Sequence, residues 1–259
     1  MTKQHISLPK SSLLRFSNSG VFHYLDLSAN AIVKSSAKSY NTGANYYPQG
    51  IEKLLSDNIE TQLGKLNTAL HELRSNSKQF GFSADALKKV FIECVVIQWL
   101  RIMRANTEIQ KASLFGSILP TEFFSPLHHL EYNDCVAIGH DILSNSLINY
   151  DFCLGFIPEG NPSSFLLNTT HFVSFGSSIL FVLSPQVCLH CMPQSSNFDV
   201  SNKDNGVIIQ YEEAVVDSMI PHFIRIEQNY GDGHLIGYKN QLLKAQKFIK
   251  ENDGKESTR

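Results

Sequence analysis

The sequence predicts an α+β fold: an N-terminal β-hairpin, a central antiparallel helix pair, and C-terminal antiparallel strands with flanking helices. Three observations carry this. An aromatic-rich, partly alternating run at residues 21–27 is followed by turn residues and a second strand-like run. Two long stretches, residues 51–73 and 84–106, are rich in apolar side chains at helical spacing or on nearly every side. From Tyr150 onward the apolar residues are β-branched and aromatic, in short runs parted by turn formers.

The hairpin is read from Val21, Phe22, Tyr24, Leu25 and Leu27, then the turn residues Ser28, Ala29 and Asn30, then Ala31, Ile32 and Val33. Tyr46-Tyr47-Pro48-Gln49-Gly50 breaks any regular element before the first helix. That helix carries Ile51, Leu55, Ile59, Leu63, Leu66, Leu70 and Leu73, spaced by three and four so that one face must be buried. Ser83 can cap the second helix, with Asp85 in its first turn where the helix dipole favours an anion.

A third helical stretch falls between His128 and Leu147, interrupted by Gly139. Phe152, Leu154 and Phe156 alternate as a strand. Residues 164–175 and 179–189 read as strands joined by Gly176-Ser177-Ser178, and residues 207–211 as one more. A helix over residues 212–220, stopped by Pro221, and another over residues 239–250 complete the expected elements. No linker composition or repeat divides the chain, so residues 1–250 are expected to form one domain, with 251–259 as a charged, disordered tail.

The 42% hydrophobic and 18% charged content of the 259 residues is that of a globular chain with a sizeable core. Its 22 Lys and Arg against 24 Asp and Glu create no long-range positive field, which argues against nucleic-acid binding by bulk charge. The opening MTKQHISLPKSSLLRF has no apolar run of the length a signal peptide or membrane span needs, so the expectation is a cytoplasmic protein without membrane association. Five scattered cysteines, Cys94, Cys135, Cys153, Cys188 and Cys191, suit reduced, buried thiols better than a disulfide frame.

Cys188, His190 and Cys191 invite a zinc reading, but the second half of such a site is missing. Residues three apart on a strand also point to opposite faces, and no metal is expected. The histidines His128, His129 and His140 have no ligand-set spacing. Phosphate-loop, dinucleotide, nucleophile-elbow and zinc-helix signatures do not occur, and no cofactor is expected.

One dispersed feature points to a site. On a helical wheel Gln98 and Arg101 share the apolar face of Leu87, Val90, Phe91 and Cys94. A guanidinium there needs a partner, and Glu52 and Glu60 lie on or beside the leucine stripe of the first helix. Two readings of such a pair stand: a structural ion pair, or a polar pocket beside the core that receives a ligand.

Gln4-His5-Ile6-Ser7-Leu8-Pro9, then Leu14-Arg15-Phe16 and the hairpin, resemble the opening of a mainly bacterial family, domain of unknown function 4238. The likeness continues through Asn45-Tyr46-Tyr47, Ile51-Glu52, Ile59-Glu60, Gln98-Trp99-Leu100-Arg101 and Phe181-Val182-Leu183-Ser184-Pro185, in order along most of the chain. Convergence of His5, Glu60, Gln98, Arg101 and His171 around one cavity would mark a site, and scatter would favour a structural or interaction role. Where the family usually shows a Thr-Ser-Asp-Asn-Pro-like turn, this chain reads Leu167-Asn168-Thr169-Thr170-His171, with Thr169 in place of the acidic residue. If that acid is catalytic in the family, this chain is inactive, uses His171 instead, or only binds.

Two functions follow as expectations. The first is a non-catalytic protein, in bacterial defence or conflict, that binds a small anionic ligand or a protein partner through Glu60, Gln98 and Arg101. The second is a hydrolase or nuclease-like enzyme, with His5 or His171 as proton-transfer group and Arg101 clamping an anionic substrate.

Overall fold

The computed structural model describes residues 3–5, 8–44, 83–105, 132–194, 201–203 and 206–256. The first helix expected from the leucine stripe, with Glu52 and Glu60, lies outside the described residues, so only one member of the central helix pair is seen.

The chain begins with β1 (Lys3–His5), α1 (Lys10–Arg15), β2 (Val21–Asp26), β3 (Ala31–Ser36) and β4 (Thr42–Ala44). Strands β2 and β3 form the expected hairpin, in register from Val21 opposite Ser36 to Asp26 opposite Ala31. Asp26 builds the turn: its Oδ1 accepts the N–H of Ser28 and of Ala29 and the Ser28 hydroxyl, at 2.9, 3.0 and 2.7 Å. Asn30 takes the left-handed conformation there (φ 47°), which asparagine tolerates. Strand β1 pairs antiparallel with β4, His5 opposite Thr42.

Helix α2 (Ala84–Ala105) buries Leu87, Val90, Phe91, Cys94 and Gln98, the face the wheel selects. Helix α3 (Tyr132–Ser146) packs beside it, with Gly139 buried inside the helix rather than ending it. Beyond them β5 (Tyr150–Phe156), β6 (Phe172–Phe175), β7 (Ser178–Ser184), β8 (Val187–Pro193), β9 (Ser201–Lys203) and β10 (Gly206–Gln210) form a sheet of order β6-β7-β8-β5-β10-β9.

This sheet departs from the all-antiparallel expectation. Strand β10 runs parallel to β5, Ile208 opposite Leu154, because the chain returns to the same edge in the same direction. The turn between β6 and β7 is the two residues Gly176 and Ser177, with Gly176 at φ 61°, as a tight hairpin requires. The run at 179–189 is not one strand: Pro185 and Gln186 turn it into β7 and β8. Residues 164–171 are likewise not a strand, apart from an isolated bridge at Leu167.

Helix α2 covers one face of this sheet, the Phe91 ring meeting Phe152 edge-on at 5.4 Å. Register puts Cys191 opposite Phe152 and Cys188 opposite Gly155, so the two thiols stand on opposite faces. On Cys188's face the Tyr211 ring lies so close to Gly155 that a Cβ at that position would come within 2.4 Å of it. Burial pushes the thiols of Cys94, Cys153, Cys188 and Cys191 well up from their ordinary pKa.

The last elements are α4 (Glu213–Ser218), α5 (Ile220–Tyr230), β11 (His234–Gly237) and α6 (Lys239–Glu256). Pro221 does not stop a helix; it sits in the first turn of α5, where its missing N–H costs nothing. Helix α6 extends past residue 250 into the segment expected to be a tail. Lys244 joins α6 to α4 through Asp217 and Glu213, at 2.6 and 3.1 Å.

Strand β11, like β1, α1, β4, β9 and α5, is an element the sequence reading did not foresee. It pairs antiparallel with β2, His234 opposite Asp26, and turns the N-terminal hairpin into a three-stranded sheet. Two backbone hydrogen bonds of 2.8 Å between Leu167 and Ile236 then bridge this sheet to the segment preceding β6. No helix among the described residues is long and apolar enough to cross a membrane.

Candidate functional site

Helix α5 carries Ile220, Phe223 and Ile224 on its buried side, and the next position on that stripe is Glu227. Its carboxylate is fully buried. Donors from two segments satisfy it, one 58 residues earlier and one seven residues on. Oε1 accepts the Thr169 hydroxyl at 2.6 Å and the His234 backbone N–H at 3.0 Å, and Oε2 accepts the Thr169 N–H at 2.7 Å. Gly231, one turn on, leaves the room: a Cβ there would lie 2.1–2.2 Å from the carboxylate atoms.

No cationic side chain among the described residues forms an ion pair with Glu227. Burial therefore dominates over the hydrogen bonds and, with the nearby charge of Asp232, raises its pKa to about 7. Asp232 also closes the loop, its N–H donating to the Thr169 hydroxyl oxygen at 3.2 Å.

Thr169 is thus held from several sides at once. Its carbonyl accepts a hydrogen bond from Gln98 Nε2 at 3.0 Å, which ties the segment to α2. Asn168 Nδ2 donates to the Phe172 carbonyl at 2.6 Å, and the Thr170 hydroxyl bonds the same residue's backbone. His171 sits in the left-handed region at φ 63°, a conformation costing a non-glycine residue on the order of 1 kcal/mol. It is kept there by stacking on Phe181, ring centroids 5.0 Å apart, and by a hydrogen bond of 3.2 Å between its Nδ1 and the Val182 carbonyl.

A half-buried polar group adjoins this core. The Tyr40 hydroxyl and His234 Nδ1 share a hydrogen bond of 2.9 Å, and His234 Nε2 stands 4.0 Å from Asp26 Oδ2. The Tyr24 ring lies against the imidazole at 4.5 Å, and Asn41 Nδ2 donates to Asp232 at 2.6 Å. Burial, then the charges of Glu227 and Asp232, push the Tyr40 phenol well above its usual pKa, so it stays a neutral hydrogen-bonding group.

Of the five residues singled out in the sequence, the structure brings Gln98 and His171 to one segment: His171 lies two residues after Thr169, and Gln98 bonds the Thr169 carbonyl from α2. Arg101 lies in α2 one turn beyond Gln98, with its side chain outside the described residues. His5 is placed by its backbone, in β1 opposite Thr42, the residue after Asn41; its side chain and all of Glu60 are outside the described residues. The expected ion pair of Arg101 with Glu60 or Glu52 falls there too.

Glu227, His234, Tyr40 and Asp232 were missed. Glu227 left a readable trace, an acid on the apolar stripe of a helix with a glycine four residues later. Among the described residues no three or more His, Cys, Asp or Glu side chains group as a metal set. No protein-family model, curated protein or solved structure matches the chain.

Proposed function

We propose that this protein is a non-catalytic binding protein that receives a small anionic ligand beside Gln98 and Arg101. One observation carries the reading: the polar groups of Thr169 are turned inward, its N–H and hydroxyl to Glu227 and its carbonyl to Gln98. The same proposal takes the resemblance to the domain of unknown function 4238 family as kinship, with Thr169 in the place of an acidic residue. His171 fits this reading, because it is buried and stacked on Phe181 rather than facing solvent. The guanidinium of Arg101 supplies the anion partner, since it stays charged and presents planar donors.

A second reading is a hydrolase or nuclease-like enzyme. The pKa of Glu227, about 7, favours it, because a carboxyl that titrates near neutrality suits general acid or base work. Against it stands the full burial of the carboxylate behind its own donors.

Calorimetric titration of the purified chain with inorganic phosphate, a nucleoside monophosphate and a short single-stranded oligonucleotide tests both readings, alongside turnover of the same oligonucleotide and of an activated phosphodiester. Binding that weakens at least tenfold in Arg101→Ala, without turnover, supports the binding protein. Turnover by the wild type that disappears in His5→Ala or Glu227→Gln establishes the enzyme instead. Absence of both binding and turnover overturns the anionic-ligand reading.

A further inference from the structure

The carboxylate of Glu227 joins three parts of the chain: its own helix α5, the start of β11 seven residues on through the His234 N–H, and, from 58 residues earlier, the Asn168–His171 segment through Thr169. The Thr169 hydroxyl is the one partner in this set that can reverse its role. It donates to Glu227 Oε1 while accepting the Asp232 N–H, and a hydroxyl hydrogen rotates to suit its neighbours. The two backbone N–H groups can only donate.

We propose that Glu227 is a proton-operated latch, which clamps the Asn168–His171 segment and β11 as a triple acceptor when ionised and hands the hydrogen bond back to the Thr169 hydroxyl when protonated. In the ionised state all three donors converge on two carboxylate oxygens. In the protonated state the new O–H points to Thr169 Oγ, whose own hydrogen must turn away, and the neutral carboxyl is a weaker acceptor for the Thr169 and His234 N–H groups. The proton is taken from and returned to solvent. Because the segment also carries Gln98's bond and the strained His171, the latch would reset the surroundings of both.

The groups facing this carboxyl fit such a role. Asp232 follows α5 and Tyr40 belongs to the turn after β3; the negative charge of Asp232 opposes ionisation. From β11 and β2 come His234 and Asp26, whose side chains engage Tyr40 and each other. His171 is the titratable group of the clamped segment. Among the charged groups of α6, Lys244 turns to Glu213 and Asp217 and Lys247 to Glu251. The device does not depend on what the protein binds.

The test is nuclear magnetic resonance of the ligand-free chain, following the Thr169 and His234 amides and the side-chain carboxyl carbon of Glu227 from about pH 5 to about pH 9. The expected result is one shared transition at all three nuclei, retained in His234→Gln and lost from both amides in Glu227→Gln. A transition of the amides that survives in Glu227→Gln assigns the proton elsewhere and overturns the latch. The carboxyl carbon of the wild type decides the matter even if Glu227→Gln does not fold: no transition there in that range also overturns it.

Discussion

Glu227 and Thr169, 58 residues apart, meet through two hydrogen bonds, the Thr169 N–H and hydroxyl each donating to one carboxylate oxygen at 2.7 and 2.6 Å. A buried acid is costly unless its lone pairs are filled, and here backbone and hydroxyl donors fill them. The pair fixes where the segment before β6 lies on α5.

Truncating the acid should therefore cost more than a surface substitution. Glu227→Ala strands the N–H groups of Thr169 and His234 in the interior, each worth about 1–3 kcal/mol when unsatisfied. Chemical denaturation should show a loss of about 3 kcal/mol or more. A midpoint within error of the wild type would contradict the burial of this carboxylate.

Stability should also depend on pH through this group, with a definite sign. The folded-state pKa of about 7 lies above the ordinary 4.5, so folding favours the protonated form. The contribution is fully present below about pH 4.5 and is lost as pH rises through about 7, by up to roughly 3 kcal/mol. Comparing denaturation midpoints of wild type and Glu227→Gln at about pH 5 and about pH 8 isolates it. The wild type should lose stability relative to the variant at the higher pH.

Gly231 is required for space, not for backbone conformation, since its φ of −104° is open to any residue. In Gly231→Ala the new methyl meets a carboxylate pinned by its three donors, and overpacking of this kind costs about 1–3 kcal/mol. The double variant Gly231→Ala with Glu227→Ala should show most of that cost removed, a coupling that two independent sites would not give.

A second close approach predicts a separate effect in the large sheet. Gly155→Ala places a Cβ 2.4 Å from the Tyr211 ring and 2.7 Å from Cys188 Sγ. Its stability loss of about 1–3 kcal/mol should add to that of Gly231→Ala without coupling, which denaturation of the pair can check.

The sequence by itself determined the elements whose signal is local. The hairpin of β2 and β3 follows from alternation and a turn that Asp26 builds with its immediate neighbours. The buried face of α2 follows from residues 87, 90, 91, 94 and 98, because periodicity reveals which side of a helix leaves water. Gly176 and Ser177 are legible as a turn for the same reason.

Only the tertiary structure decided what those faces meet. Four residues of β11 carry too little pattern to announce that they will pair with β2, more than two hundred positions earlier. The parallel pairing of β10 with β5 is equally invisible, since a strand's own residues do not state the direction of its neighbour. Gln98 was found by its place on the helix face, but its partner, the carbonyl of Thr169, is 71 residues away. Glu227 shows in the sequence only as an acid on an apolar stripe with a glycine four residues on; its burial and raised pKa depend on Thr169, 58 residues earlier, and on the fold of the chain after α5 that sets Asp232 and His234 against it.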